Sequence, residues 1–145
     1  MSVVSEIMTR GAVTIRQESN PTALDVAQVM AKSRTGSVII TTGGKPSGII
    51  TERDLLKKVS ARDRKPGEIS ALQIMSSPVI AVNAYDSVDT AAGLMAKNKI
   101  KRLAVVEEDG SLAGVISATD IAKKLARILA DDYNRYGSLK AVLDL

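Results

Sequence analysis

The chain has 145 residues, of which 45% are hydrophobic and 25% charged, and carries a formal net charge of +4. That balance belongs to a globule with a sizeable core, and the mild excess of positive charge permits an anionic partner without requiring one. There is no cysteine and no histidine, which excludes disulfides and thiolate chemistry and removes the commonest general base and metal ligand.

Aromatic residues are only 2% of the chain, with no Phe or Trp, so the core is expected to be Val, Ile, Leu, Ala and Met. Residues 1–8 contain neither a basic leader nor an apolar h-region. No apolar run is long enough to cross a bilayer. The expectation is a soluble cytoplasmic protein with no membrane contact.

In chain order, residues 3–8 form a lead-in with helical character, and residues 11–15 (Gly-Ala-Val-Thr-Ile) read as a short strand. Asn20 and Pro21 suit the N-cap and first position of a helix that ends near Lys32. Ala23, Ala27 and Met30 share its apolar face. Residues 37–40 are a strand, Gly43-Gly44 a turn, and Ile49-Ile50 the returning strand of a hairpin. A helix then runs from Thr51 to about Val59, and the polar stretch 60–67, closed by Pro66-Gly67, reads as a linker.

The second half repeats the first. Ile74-Met75-Ser76 echoes Ile7-Met8-Thr9, residues 78–82 are a strand, and Asp86 starts a helix whose apolar face is Val88, Ala92 and Met95. Residues 103–106, the Glu108-Asp109-Gly110 turn and Val115-Ile116 make a second hairpin, and the last long helix spans about 117–129. The tail, residues 131–145, lies outside the repeat; Leu139, Val142 and Leu143 are spaced for a short amphipathic helix, and Tyr133, Arg135 and Tyr136 form a small aromatic-basic cluster. The fold class is α/β, as two β-α-β-β-α units over residues 1–66 and 67–130.

The clearest signal is one heptapeptide that occurs twice. Gly48-Ile49-Ile50-Thr51-Glu52-Arg53-Asp54 is followed 66 positions later by Gly114-Val115-Ile116-Ser117-Ala118-Thr119-Asp120. Each reads as a buried strand running into a helix start, with the hydroxyl at N-cap and the aspartate three residues on, the pattern of a capping box. Capping alone accounts for Thr51, Ser117, Asp54 and Asp120 whether or not anything binds there. Met8, Met30, Met75 and Met95 recur symmetrically and read as core. Lys97 and Lys99 read as a solvated helix end.

Two such units resemble a tandem pair of CBS domains, the module named for cystathionine β-synthase, over about residues 3–130. The resemblance implies two pseudo-twofold units packed sheet against sheet, with two clefts between them for an adenosyl ligand such as AMP, ADP, ATP or S-adenosylmethionine. It also implies a homodimer. In one cleft Asp54 would accept from ribose hydroxyls, Thr51 would meet ribose or phosphate, and Val79 and Ile80 would sandwich adenine. Lys101, Arg102 and Arg53 would meet phosphate there. The other cleft would use Ala12, Val13, Ser117, Thr119 and Asp120. It has Gly36 and Ser37 where its twin has Lys101 and Arg102, so the two sites are expected to be unequal, although Lys32 and Arg34 stand nearby.

With no catalytic or metal-ligating cluster in view, the function implied is sensing rather than catalysis: an adenine nucleotide shifts the geometry between the repeats and a regulated protein partner reads the change. A nucleic-acid-binding protein, on the basic balance and the Tyr-Arg-Tyr tail, and a purely structural dimerisation module remain open.

Overall fold

The computed structural model describes residues 2–132, 137–143 and 145. The first repeat builds a three-stranded sheet from β2 (Thr14–Arg16), β3 (Ser37–Thr42) and β4 (Lys45–Thr51), in the order β2-β3-β4. β2 and β3 are parallel and β3 and β4 form an antiparallel hairpin. The second repeat reproduces this with β5 (Ala81–Asn83), β6 (Arg102–Val106) and β7 (Leu112–Ser117), and β1 (Thr9–Arg10) adds a fourth strand beyond β7.

The parallel pairs need a crossover, and α1 (Ala23–Ser33) and α3 (Val88–Asn98) provide it; α2 (Glu52–Lys58) and α4 (Ala118–Asp132) follow the hairpins. The tail helix is α5 (Gly137–Leu143), in the region where the tail spacing places one, and it packs on α4. Tyr133, Arg135 and Tyr136 lie outside the described residues.

Two hydrophobic cores result. One contains Ala23, Val26 and Met30 of α1, Val38, Ile40 and Ile50 of the first sheet, and Ile69, Ala71 and Ile74. The other contains Val4 and Met8 with Ala91, Met95, Leu103, Val105 and Ile116. Met8, Met30 and Met95 are buried and Met75 packs against the first core. By strand alternation Ile39 and Ala104 point to the opposite sheet face, yet both are fully buried. Each sheet therefore has two covered faces: helices on one, the other repeat on the other.

The lead-in segments are exchanged between these cores. Residues 2–10 belong to the second: the Val4 amide donates to the Asp86 carbonyl (2.9 Å), Ser5 to Ala84 (2.9 Å) and Val88 to Ser2 (3.2 Å). The mirror-image bonds tie residues 69–76 to the first: Ala23 donates to Ile69 (2.8 Å) and Ala71 to Pro21 (2.9 Å). Each segment then lies along the edge strand of the sheet it joins. Thr9 and Arg10 pair with Val115 and Gly114, and Ser76 pairs with Ile49. This is why the motif glycines recur. A Cβ on Gly114 would sit 2.5 Å from the Thr9 carbonyl oxygen and 3.1 Å from Met8 Sδ. One on Gly48 would sit 2.6 Å from Met75 Sδ and 3.1 Å from the Ser76 oxygen.

The helix starts correct two expectations. α1 is capped by Thr22, whose hydroxyl accepts from the Asp25 amide in a capping box. Asn20 instead sits at φ +52°, in the left-handed turn after the 3-10 segment Gln17–Ser19, because it must first reverse the chain. α3 is capped by Ser87 rather than Asp86; the Asp86 carboxylate accepts from the Asn83 amide (3.1 Å) and closes the preceding turn. The first strand of each repeat starts later than its apolar run suggests, since only Thr14–Arg16 and Ala81–Asn83 pair with a neighbour. The stretch 60–67 is not free linker: it contains the 3-10 turn Ser60–Arg62, and a second, Pro66–Glu68, begins within it and packs on α1.

Gly114→Ala is expected to destabilise the protein by about 1–3 kcal/mol, the range for forcing atoms into a packed site. Gly48→Ala is expected to cost less, because a methionine end can yield where a backbone carbonyl cannot. Urea unfolding of the two variants tests the order.

Candidate functional site

The end of β4 and the start of α2 form one wall of a cleft between the repeats. Ile49 and Thr51 end the strand, and Arg53 and Asp54 open the helix. The segment leading into β5 supplies Ser76, Pro78 and Ile80, and the end of α3 with the start of β6 supplies Lys99, Ile100, Lys101 and Arg102. The cleft measures about 420 Å³, within the range of small-molecule sites, roughly 300–1,000 Å³. Its walls carry four cationic side chains, Arg53, Lys99, Lys101 and Arg102, against one carboxylate, Asp54. Such a site attracts a ligand with negative charge and offers one anionic acceptor for hydroxyl donors.

Asp54 is held by its own helix start. Its Oδ2 accepts from the Thr51 amide (2.8 Å) and the Thr51 hydroxyl (3.2 Å). Its Oδ1 pairs with Lys58 Nζ at 3.2 Å, and the carboxylate side chain is 15% exposed. The same Lys58 ammonium donates to the Ile74 carbonyl at 2.9 Å. Asp120 repeats the capping geometry, accepting from the Ser117 amide (2.9 Å) while the Ser117 hydroxyl accepts from the Asp120 amide (3.0 Å). It forms no ion pair among the described residues.

The structure brings Thr51, Arg53, Asp54, Ile80, Lys101 and Arg102 to the walls of one cleft. Val79 is not among the walls; it is half-buried between Pro78 and Ile80 in the chain. Lys99, which the sequence presents as a solvated helix end, does line the cleft. It stands at φ +56° as the left-handed cap of α3, and that cap aims the chain from the helix into β6. Ser76 and Pro78 are wall residues that sequence reasoning did not assign to a site; their signal is the repeated Ile-Met-Ser/Thr triplet, which Ser76 closes and Pro78 soon follows.

The second set is spread more widely. Ala12 lines a groove of about 450 Å³ with Gly11, Thr14, Thr41, Gly44 and residues 111–114. Val13, Ser117, Thr119 and Asp120 are not part of its walls. Beside this groove, Asp109 closes the β6–β7 turn. The Ser111 hydroxyl (2.6 Å) and Ser111 amide (2.9 Å) both donate to it and hold its carboxyl below its ordinary value.

The sequence asymmetry at Gly36 has a spatial counterpart. A Cβ there would lie 2.7 Å from Arg102 Nη2 and would collide with the Glu52 carboxylate. The guanidinium of the second repeat thus reaches across to the first, into space that a side chain at position 36 would fill. Among the described residues no group of three or more acidic, His or Cys side chains is arranged to hold a metal. No helix among them is long and apolar enough to cross a membrane.

Comparison with known proteins agrees with this architecture. The CBS domain family matches residues 4–61 and 69–127, so the chain belongs to the CBS-domain family. It is 39% identical over 119 residues to the uncharacterized protein MK0525 of Methanopyrus kandleri, covering 81% of this chain and 60% of that protein. It resembles the CBS domain protein PAE2072 from Pyrobaculum aerophilum, solved in complex with AMP, at 30% identity and a TM-score of 0.74, covering 82% of this chain and 89% of that one. The CBS domain pair of protein MJ0100, solved with 5′-methylthioadenosine and S-adenosyl-L-methionine, is 26% identical with a TM-score of 0.75, covering 86% and 99%.

Gly36→Ala is expected to change stability by no more than about 0.5 kcal/mol, because both obstructing groups are ends of flexible side chains. It is expected to turn the Arg102 guanidinium out of its present place. Thermal unfolding gives the first quantity and a crystal structure of the variant the second.

Proposed function

We propose that this chain is a regulatory module that binds an adenosyl ligand, with the Asp54 cleft the tighter site for phosphorylated forms such as AMP, ADP or ATP. The observation that carries the reading is the composition of that cleft: one carboxylate from the first repeat faces cations from the second across about 420 Å³. Asp54 and Thr51 would meet the ribose, Ile80 with Val79 beside it would flank the base, and Arg53, Lys99, Lys101 and Arg102 would neutralise phosphate. A guanidinium suits this by its planar fork of donors. The AMP complex of PAE2072 and the adenosyl ligands of the MJ0100 pair support the ligand class. Ala12, Val13, Ser117, Thr119 and Asp120 would form the weaker second site, where Gly36 and Ser37 replace the basic pair.

The module acts by geometry rather than by chemistry. A ligand touching both repeats stabilises one angle between them over others, in proportion to its differential affinity for the two arrangements. A regulated protein partner would read that change. The reading also includes a homodimer. Leu56 is 63% exposed, and it lines a mixed groove whose apolar walls are Ala27, Met30, Ala31 and Leu55 and whose polar walls include Arg34 and Glu52. Leu125, Ile128 and Leu129 of α4 are exposed as well, and apolar side chains grouped in this way mark an interaction face.

Titration calorimetry of AMP, ADP, ATP and S-adenosylmethionine, with GTP as the control, tests the ligand class. Asp54→Ala is expected to weaken nucleotide binding at least tenfold, the scale of about 1.4 kcal/mol lost with a charged hydrogen-bond acceptor. Asp120→Ala is expected to spare the tighter site; equal losses from the two changes would sink the assignment of unequal sites. Sedimentation velocity tests the dimer, and Leu56→Glu is expected to shift it toward monomer.

A further inference from the structure

Lys58 ties the acceptor carboxylate of the first cleft to the segment that crosses between the cores. Its ammonium lies 3.2 Å from Asp54 Oδ1 and 2.9 Å from the Ile74 carbonyl oxygen, and its side chain is 36% exposed. A carboxylate offers about four lone-pair sites, two on each oxygen. Oδ2 has both of its sites committed to the Thr51 amide and hydroxyl, which are the start of α2 itself. Oδ1 holds Lys58 and has one site left. A single hydroxyl can be met there without change. A vicinal diol brings two O–H donors, and with Oδ2 already committed both fall to Oδ1, which can meet them only if the ammonium leaves. Lys58 can leave at small cost, since its partly exposed head has water to go to. The pseudo-equivalent Lys124 is exposed and has no such partner among the described residues, so the device belongs to one repeat only.

We propose that Lys58 is a latch on Asp54 that a ribose diol displaces, so that sugar binding in the first cleft breaks the Lys58 bridge between Asp54 and the Ile74 carbonyl. This rests on the Asp54 cleft being the adenosyl site. Ile74 immediately precedes Met75 and Ser76, and Ser76, Pro78 and Ile80 line the same cleft. Displacement at the sugar end therefore uncouples Asp54 from the segment that carries the wall facing the base. The latch also sets selectivity: it lowers the advantage of a diol over a single hydroxyl, because only the diol has to break it.

The test compares AMP with 2′-deoxy-AMP by titration calorimetry on the full chain and on Lys58→Met, Lys58→Gln and Lys58→Arg. Both ligands carry the same phosphate, so the loss of a nearby positive charge cancels in the ratio of their dissociation constants. In Lys58→Met the preference for AMP is expected to rise by about twofold to fivefold over wild type, the factor contained in one partly exposed ion pair. Lys58→Gln, with a neutral amide in place of the ammonium, is expected to show the same rise and serves if the methionine variant does not fold. Lys58→Arg keeps the cation and is expected to retain the wild-type ratio. A purely structural lysine would lower the melting temperature and move both affinities together, and an unchanged ratio in both neutral variants overturns the latch while leaving the nucleotide site intact. Failure of the wild-type protein to bind either ligand overturns the site and the latch together.

Discussion

Everything in this molecule depends on two close approaches of backbone to backbone, at Gly48 and Gly114. At each, a lead-in segment from outside the repeat lies against the edge strand of a hairpin, and a glycine leaves the room for it, at Gly114 against a backbone carbonyl and at Gly48 chiefly against the Met75 side chain. The contact closes a core that the repeat cannot close by itself. Val4 and Met8 fill the second core, and Ile69, Ala71 and Ile74 fill the first, each of these side chains being almost fully withdrawn from water. Burial of an aliphatic side chain is worth about 1.5–3 kcal/mol, so the exchanged segments are a substantial share of what a domain of this size has to spare. The cleft inherits its form from the same arrangement. Ser76 pairs with Ile49 at the strand edge, and the chain then turns into the second repeat past Pro78 and Ile80.

The site is built from groups that serve the fold first. Thr51 and Asp54 are a capping box, and Lys58 supplies charge at the last turn of the same short helix. Nothing in these roles requires a ligand. What distinguishes the first cleft from a well-capped helix is the opposite wall, where Lys101 and Arg102 follow the left-handed Lys99 cap at the entry to β6. Cations gathered there without an acidic partner within ion-pair distance among the described residues are costly to hold together, and a bound anion relieves that repulsion. The Gly36 position adds a further asymmetry, since it leaves space for Arg102 to reach into the first repeat.

How far this was legible in the sequence follows from how local each feature is. The heptapeptide repeat, both hairpins, both capping boxes and the symmetrical methionines are short-range patterns, and the structure reproduces them. The α1 start was misplaced by two residues because Asn20 and Thr22 are both good caps, and only the left-handed turn at Asn20 decides between them. The exchange of lead-ins was out of reach. The triplets Ile7-Met8-Thr9 and Ile74-Met75-Ser76 announce equivalent segments, but no periodicity says which core each will join. For the site, the Thr51–Asp54 wall could be read from the motif, whereas the Lys58 contact to the Ile74 carbonyl spans 16 residues and depends on tertiary packing.

The exchange also has an order in time. The chain emerges from the ribosome N-terminus first, at roughly 5–20 residues per second. The strand and helix residues of the first repeat are complete by Lys58, but the wall of their core, Ile69 to Ile74, has yet to appear. Residues 2–10, in contrast, are made before either sheet and must wait for β5 to β7, which end at Ser117. The two halves, alike in sequence, therefore mature differently during synthesis: the first needs only a short extension, while the second closes on a strand made before either sheet.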